Sequence, residues 1–145
     1  MHQLKILVKQ LDAELPLPSH AQDGDAGVDL YARESGVLAA GERTMVATGI
    51  AVAIPPGYVG LIAPRSGLAA RHGVSLVNSP GILDSGYRGE IHAIVINEGA
   101  EPFEFRRGER IAQLVVVPFA SQHYEVVAEL PDSDRGEGGF GSTGS

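Results

Sequence analysis

Glycine and proline recur so often in this chain that few stretches between them could form an ordinary helix. Nineteen glycines and nine prolines are distributed over 145 residues. They divide the chain into segments of roughly five to eight residues, many of them rich in Val, Ile and Leu, which are typical lengths and compositions of strands. Frequent short strands separated by turns predict an all-β subunit, a jelly-roll-like barrel or sandwich.

The apolar segments follow two patterns. Leu4, Ile6 and Val8 alternate with polar residues, which predicts a half-exposed strand, whereas Ile50–Ile54 and Ile111–Val117 are nearly continuous apolar runs. Continuous runs are typical of strands that are covered on both faces. Turn signals separate the strands at Pro55–Gly57, Ser79–Gly81, Asn97–Gly99 and Arg106–Gly108.

One helix and one tail interrupt this all-β pattern. The sequence predicts a short helix from about Ser66 to His72, which Gly73 would end. Residues 131–145 are polar and rich in glycine, so we separate them from a β domain at residues 1–130. This tail is either a disordered end or a flexible arm that closes over a ligand, with Arg135 and Phe140 as its contact groups.

Composition excludes several classes of protein. Because the sequence has no cysteine, it offers no disulfide framework and no thiolate metal site, and its five histidines lack the short spacing of paired zinc ligands. The net charge of -7 argues against broad binding to nucleic acid, so an anionic ligand would need local arginine or a bound cation. Without a secretory signal or a long apolar span, we expect a soluble cytoplasmic protein with no membrane contact.

Two glycine-bearing loops carry groups suited to a charged nucleotide. The first, Ala26–Leu30, contains Asp29, although such acids taken alone are typical of a solvated turn. The second places Arg65, Ser66 and Gly67 where a strand ends and the predicted helix begins. A guanidinium, a hydroxyl and backbone N–H groups can bind an anion there, and a simple capped helix is the alternative.

A third loop, Asn78–Glu90, is predicted to form a hairpin pocket with the carboxylate of Asp84 and the ring of Tyr87. Its backbone could read a pyrimidine edge through hydrogen bonds, although Asp84 alone would be an ordinary turn residue. Gly139–Gly144 matches the dinucleotide-binding pattern G-x-G-x-x-G. We reject that interpretation because the pattern must follow a strand and open a helix, and a phosphate-binding nest remains the alternative.

Taken together, five segments resemble in content and order the five motifs of the trimeric dUTPase family. The resemblance runs from residue 26 to the tail, and the combination is highly specific. The segments are Ala26–Leu30, Pro64–Ala69, Asn78–Glu90, Gly108–Leu114 and Arg135–Gly144.

The resemblance implies a jelly-roll homotrimer with three active sites at subunit boundaries and a tail that reaches over a neighbour's site. The implied reaction is the Mg²⁺-assisted hydrolysis of dUTP to dUMP and pyrophosphate, which keeps uracil out of DNA and supplies dUMP for thymidylate synthesis. Fixed positive donors, a metal ion and a carboxylate base would stabilise attack of water on the α-phosphorus.

The resemblance also assigns roles to residues. Asp84 would be the general base, and Asp29 would hold the metal through water. Tyr87 would pack under the deoxyribose and leave no room for a 2′-hydroxyl, and Phe140 would stack on the base. The remaining residues implied to bind substrate are Arg65, Ser66, Gly67, Asn78, Ile82, Leu83, His92, Gln113, Arg135, Gly141, Ser142, Thr143 and Gly144.

This sequence departs from the family at a few positions. The family usually has Val or Thr at the position of Ile82 and Ile or Val at that of Leu83, and some relatives carry Lys where His92 stands. Two other functions remain open from the sequence: a dCTP deaminase-like enzyme and a non-catalytic nucleotide-binding regulator on the same fold.

Overall fold

The computed structural model describes residues 3–141, and within them the chain forms eleven strands and one short helix. The all-β fold predicted from the spacing of glycine and proline is confirmed. The elements are β1 (Leu7–Gln10), β2 (Gly27–Tyr31), β3 (Gly36–Leu38), β4 (Arg43–Ala47), β5 (Ile50–Ala53), β6 (Tyr58–Ala63), α1 (Ser66–His72), β7 (Val74–Leu76), β8 (Gly81–Leu83), β9 (His92–Asn97), β10 (Phe103–Phe105) and β11 (Arg110–Pro118).

The strands are arranged as a jelly roll of antiparallel sheets. A four-stranded sheet has the order β2-β11-β6-β8, and a three-stranded sheet has the order β4-β9-β7. Two further pairs, β1 with β5 and β3 with β10, complete the described strands. Strands that are distant in sequence are neighbours in these sheets, so the fold brings loops from different parts of the chain together.

The core lies between the sheets and is built from alternating side chains. Along β9, partly exposed and buried residues alternate strictly, and Val95 at its centre is fully buried. β5 is nearly covered on both faces, as its continuous apolar sequence predicts. In β11, by contrast, Ile111, Ala112 and Leu114 are buried, whereas residues 115–117 remain half-exposed in the single chain.

The helix has the bounds that the sequence predicts. Gly73 ends it in the left-handed conformation, with φ at 68°, and its N–H donates to the carbonyl of Ala69 at 3.0 Å. A Cβ atom at this position would lie 2.8 Å from the backbone nitrogen of Gly99, so the site requires glycine for both its backbone angle and its close packing. Gly73 thereby fixes where the chain turns into β7.

The predicted hairpin at residues 78–90 is wrong. β8 pairs with β6 in the four-stranded sheet, whereas β9 pairs with β4 and β7 in the three-stranded sheet. The loop between β8 and β9 therefore crosses from one sheet to the other. Local sequence could not reveal this, because the partner strands are set by long-range register.

Regular structure in the described chain ends at Pro118. Residues 119–137 are exposed, and among them Tyr124, Val126 and Leu130 are each more than four fifths exposed. Among residues 3–141, no helix has the length and apolar character needed to cross a membrane.

Candidate active site

A cavity of about 240 Å³ lies beside β8 and the loop that follows it. Six residues that the sequence analysis assigned to substrate binding line this cavity, which we call the Asp84 pocket. Its walls are Asn78, Ile82, Leu83, Asp84, Tyr87 and His92, together with Met45, Ile62, Gly81, Glu90, Ile91 and Ile94.

The pairing of β8 with β6 explains how the Asp84 pocket forms. Leu83 lies opposite Gly60 and is buried in the core, while the alternate residue Ile82 is exposed. Asp84 comes directly after the strand, where its carbonyl accepts a hydrogen bond from the Tyr87 N–H at 3.1 Å. This turn brings a carboxylate and an aromatic ring to the same cavity, as the sequence predicts.

Two residues that hold the walls of the Asp84 pocket, Arg33 and Glu90, were not predicted from the sequence as site residues. The hydroxyl of Tyr87 donates to the carbonyl oxygen of Glu90 at 2.9 Å, and Nδ1 of His92 lies 3.1 Å from the same oxygen. The carboxylate of Glu90 forms an ion pair with Arg33 at 3.1 Å. Because these partners are 57 residues apart, no local pattern could have identified them.

A second cleft, of about 520 Å³, contains Asp29 and Arg65, and we call it the Asp29 cleft. Nε of Arg65 lies 3.3 Å from one Asp29 oxygen, and Nη1 of Arg110 lies 3.6 Å from the other. Two guanidinium groups therefore meet in an open cleft, where they can bind a polyanion, and the acidic residues Asp29 and Glu109 also line it. Arg110 was missed in the sequence analysis, although it stands in the segment Gly108–Leu114.

Three further predicted residues adjoin this cleft. Ser66 and Gly67 open α1 directly after Arg65. Gln113 lies on β11 opposite Asp29, and its Nε2 donates to the carbonyl of Pro64 at 2.9 Å. In the single chain, Gln113 therefore supports the turn that carries Arg65.

The cleft fits a metal ion only in combination with other ligands. Among the described residues, no three His, Cys, Asp or Glu side chains are grouped to hold a metal. Asp29 supplies a single carboxylate, and both of its oxygens face arginines. Mg²⁺ commonly keeps several waters and takes one or two carboxylates plus substrate phosphates. The donor set therefore fits an Mg²⁺ ion that takes most of its ligands from phosphates and water.

Among the described residues of the tail, Arg135, Phe140 and Gly141 line neither pocket in the single chain. Nε of Arg135 donates to the carbonyl of Gly138, which forms a local turn. Phe140 is fully exposed and has a positive φ of 52°, followed by Gly141 at 78°. Ser142, Thr143 and Gly144 lie outside the described residues.

The two pockets are formed at opposite edges of the four-stranded sheet, whose edge strands are β2 and β8. Asp29 lies level with Gln113 and Ala63, whereas Asp84 follows Leu83, the partner of Gly60. With about 4.8 Å between strands and about 3.3 Å per residue along them, the Cα atoms of Asp29 and Asp84 are roughly 20 Å apart. The two pockets of one chain are thus separate cavities.

Comparison with known proteins identifies the relatives of the chain. The family model described as dUTPase matches residues 13–144. A deoxyuridine 5'-triphosphate nucleotidohydrolase from Streptomyces avermitilis is 54% identical over 142 residues, which cover 97% of this chain and 81% of the relative. One from Mycolicibacterium vanbaalenii is 57% identical over 145 residues, covering 96% of this chain and 94% of the relative.

Solved structures give the same result. The Staphylococcus bacteriophage 80alpha dUTPase with dUPNHPP has a TM-score of 0.91 and 30% identity, and the match covers 99% of this chain and 100% of the other. A mutant dUTPase from phage phi11 of S. aureus, whose structure describes a structural Mg(II) ion, has a TM-score of 0.80 and 26% identity over 87% of this chain and 98% of the other. These findings do not favour a dCTP deaminase, and the resemblance of the five motifs is confirmed: the chain belongs to the dUTPase family.

Proposed function

We propose that this protein is a dUTP diphosphatase, which hydrolyses dUTP to dUMP and pyrophosphate. The observation that carries the proposal is the Asp84 pocket, where six predicted residues meet around a cavity of about 240 Å³. The reaction keeps uracil out of DNA and supplies dUMP for thymidylate synthesis. Because its substrate is an intracellular nucleotide, we place the enzyme in the cytoplasm.

In the Asp84 pocket, the amide of Asn78 and the backbone from Ile82 to Asp84 read the uracil edge. A hydrogen-bonding site of this kind discriminates well, because a wrong base leaves buried polar groups unpaired. The Tyr87 ring packs against the deoxyribose and excludes a 2′-hydroxyl. His92 lines the same cavity and completes its wall.

The chemistry divides between the two half-sites. Asp84 takes a proton from the water that attacks the α-phosphorus, and the bond from that phosphorus to the bridging oxygen breaks as pyrophosphate leaves. Arg65 and Arg110 face the phosphates and offset the charge that develops on them. Ser66, Gly67 and Gln113 contact the phosphates beside them. Asp29 would hold Mg²⁺ through water, and the bound ion would offset part of the phosphate charge.

The complete site is formed in a homotrimer. A base must lie within about 3 Å of the proton that it removes, and the phosphates lie next to that water. The separation of roughly 20 Å between Asp29 and Asp84 in one chain therefore supports a site built from the Asp29 cleft of one subunit and the Asp84 pocket of another. The half-exposed residues 115–117 of β11 offer apolar surface for such contacts.

The arm, residues 131–145, completes the site. Arg135 and residues 141–144 clamp the phosphates, and Phe140 stacks on the base. The full exposure of Phe140 in the single chain supports this role, because a large apolar ring is left without a partner there. Closure of the arm removes water from the reacting groups.

Substitution of Asp84 by Asn tests the proposed chemistry. The amide cannot accept the proton, so turnover of dUTP should fall by about a hundredfold or more, while binding of a non-hydrolysable dUTP analogue persists. Pyrophosphate release measures turnover, and calorimetry measures binding. Near-normal turnover of Asp84→Asn would remove Asp84 from the reaction.

Parallel assays of the wild-type protein test the overall function. Pyrophosphate release should be specific for dUTP among the deoxynucleoside triphosphates and should require Mg²⁺. Ammonia release from dCTP would instead indicate a deaminase, and binding of dUTP without hydrolysis would indicate a regulator.

A further inference from the structure

One backbone oxygen holds two side chains that line the Asp84 pocket. The carbonyl of Glu90 accepts a hydrogen bond from the Tyr87 hydroxyl at 2.9 Å, and Nδ1 of His92 lies 3.1 Å from it. A carbonyl has two lone pairs and can serve both partners when Nδ1 carries its proton. The position of this single oxygen therefore sets where two walls of the pocket stand.

The position of Glu90 is fixed in turn by its own side chain. Both carboxylate oxygens accept hydrogen bonds from Nη1 of Arg33, at 3.2 and 3.1 Å, and one also accepts the N–H of Gly49 at 2.9 Å. Arg33 is anchored through Nη2 to the carbonyl of Leu11 at 3.1 Å, and its Nε lies 3.4 Å from Asp12. The Glu90 side chain is 18% exposed, so water competes only weakly for these contacts.

The Tyr87 ring has few other constraints. It is 45% exposed and stands in the loop between β8 and β9, where regular strand pairing is absent among the described elements. Gly89 leaves room for its hydroxyl, since a Cβ atom at that position would lie 2.5 Å from the Tyr87 oxygen. The hydroxyl therefore sits in a space shaped by Gly89 and is held there by Glu90.

We propose that Arg33 and Glu90 are positioning residues for Tyr87 and thereby set the discrimination between deoxyribose and ribose, an inference that rests on the dUTP hydrolysis proposed above. Neither carboxylate nor guanidinium takes part in the chemistry. Their ion pair holds the Glu90 carbonyl in place, and the carbonyl holds the ring that excludes a 2′-hydroxyl. When the ion pair is broken, the ring gains freedom to move aside for a ribonucleotide.

The test measures kcat/KM for dUTP and for UTP and takes their ratio. Glu90→Gln and Arg33→Met each break the ion pair, so the ratio of dUTP to UTP should fall about fivefold in either variant, a factor equivalent to one ordinary hydrogen bond. The same substitutions are then made in Tyr87→Phe, which lacks the hydroxyl. There they should change the ratio no further, because the Glu90 carbonyl has no tyrosine hydroxyl to hold.

Two controls separate positioning from general damage. Discrimination against dTTP should be unchanged, because the sugar of dTTP is identical to that of dUTP. Arg106→Ala removes an ion pair with Glu104 whose side chains are both largely exposed, and it should leave the ratio at the wild-type value. Either of the two test variants suffices if the other does not fold.

Three results would overturn the inference. The ratio of dUTP to UTP could remain at the wild-type value in both test variants, it could fall equally with and without the Tyr87 hydroxyl, or it could fall together with discrimination against dTTP. A wild-type protein that does not hydrolyse dUTP would instead refute the proposed function, so the two failures are distinguishable.

Discussion

Mixing two inactive variants should restore activity if each site combines the Asp29 cleft of one subunit with the Asp84 pocket of another. Arg65→Ala disables the first half-site and Asp84→Asn disables the second. Arg65 contacts Asp29 of β2, and Asp84 follows β8. Because these strands are opposite edges of one sheet, the two substituted residues belong to separate pockets of a single chain. Under this proposal, each variant alone would form trimers in which every site has one defective half.

The expected recovery follows from counting. In trimers assembled at random from equal amounts of the two variants, about half of the Asp29 clefts and about half of the Asp84 pockets are intact, so about one quarter of the sites have both. Each variant alone should retain about a hundredth of wild-type turnover or less. Mixing should therefore raise activity on the order of 25-fold over the variant homotrimers.

The assay uses co-expression of differently tagged chains, purification through both tags and pyrophosphate release from dUTP. Selection through both tags removes homotrimers and leaves one intact site in every mixed trimer. The selected sample should therefore show about one third of full activity, and the unselected mixture about one quarter. A matched control combines wild type with the Arg65→Ala and Asp84→Asn double variant. In the unselected mixture of this control, sites shared between chains again give about one quarter of full activity, whereas sites within one chain give about one half. No recovery with the single variants, together with one half in the control, would refute the shared site.

A hydrogen bond from Arg107 lowers the pKa of Asp12 from 3.8 to about 2. Asp12→Asn should therefore destabilise the protein above about pH 4, and the difference in unfolding free energy from wild type should shrink as the pH falls from about 4 to 2. Urea unfolding at several pH values measures this difference, and a difference that does not change with pH would contradict the prediction. Asn97→Ala should lower the unfolding free energy by about 3 kcal/mol, because the buried amide makes three hydrogen bonds. A loss below about 1 kcal/mol, measured at fixed protein concentration, would show that these hydrogen bonds do not stabilise the fold as expected. Deletion of the residues after Leu130 should leave the trimer mass and melting temperature nearly unchanged, since residues 131–137 are exposed. Turnover should be abolished, because the arm no longer closes over the site. Full activity of the truncated protein would exclude the arm, including Phe140, from the site.

The features that sequence predicts correctly here depend on local patterns. Glycine and proline spacing predicts the strands, and Gly73 predicts the end of the only helix that the described chain contains. The segment from Asn78 to Tyr87 lines one pocket because its residues are close in the chain, so a motif and a cavity coincide there. Its hairpin geometry was predicted wrongly, since strand partners depend on contacts between distant segments.

The remaining features depend on which strands become edges of the sheet. Arg110 reaches Asp29 because β11 lies beside β2, and Arg33 reaches Glu90 across 57 residues. The sequence order of the motifs gives no hint that Asp29 and Asp84 end on opposite edges. That placement follows from the strand order β2-β11-β6-β8, in which the central strands come from the end and the middle of the chain. Motif content can therefore indicate the reaction, whereas the separation of Asp29 from Asp84 within one chain has to be derived from register.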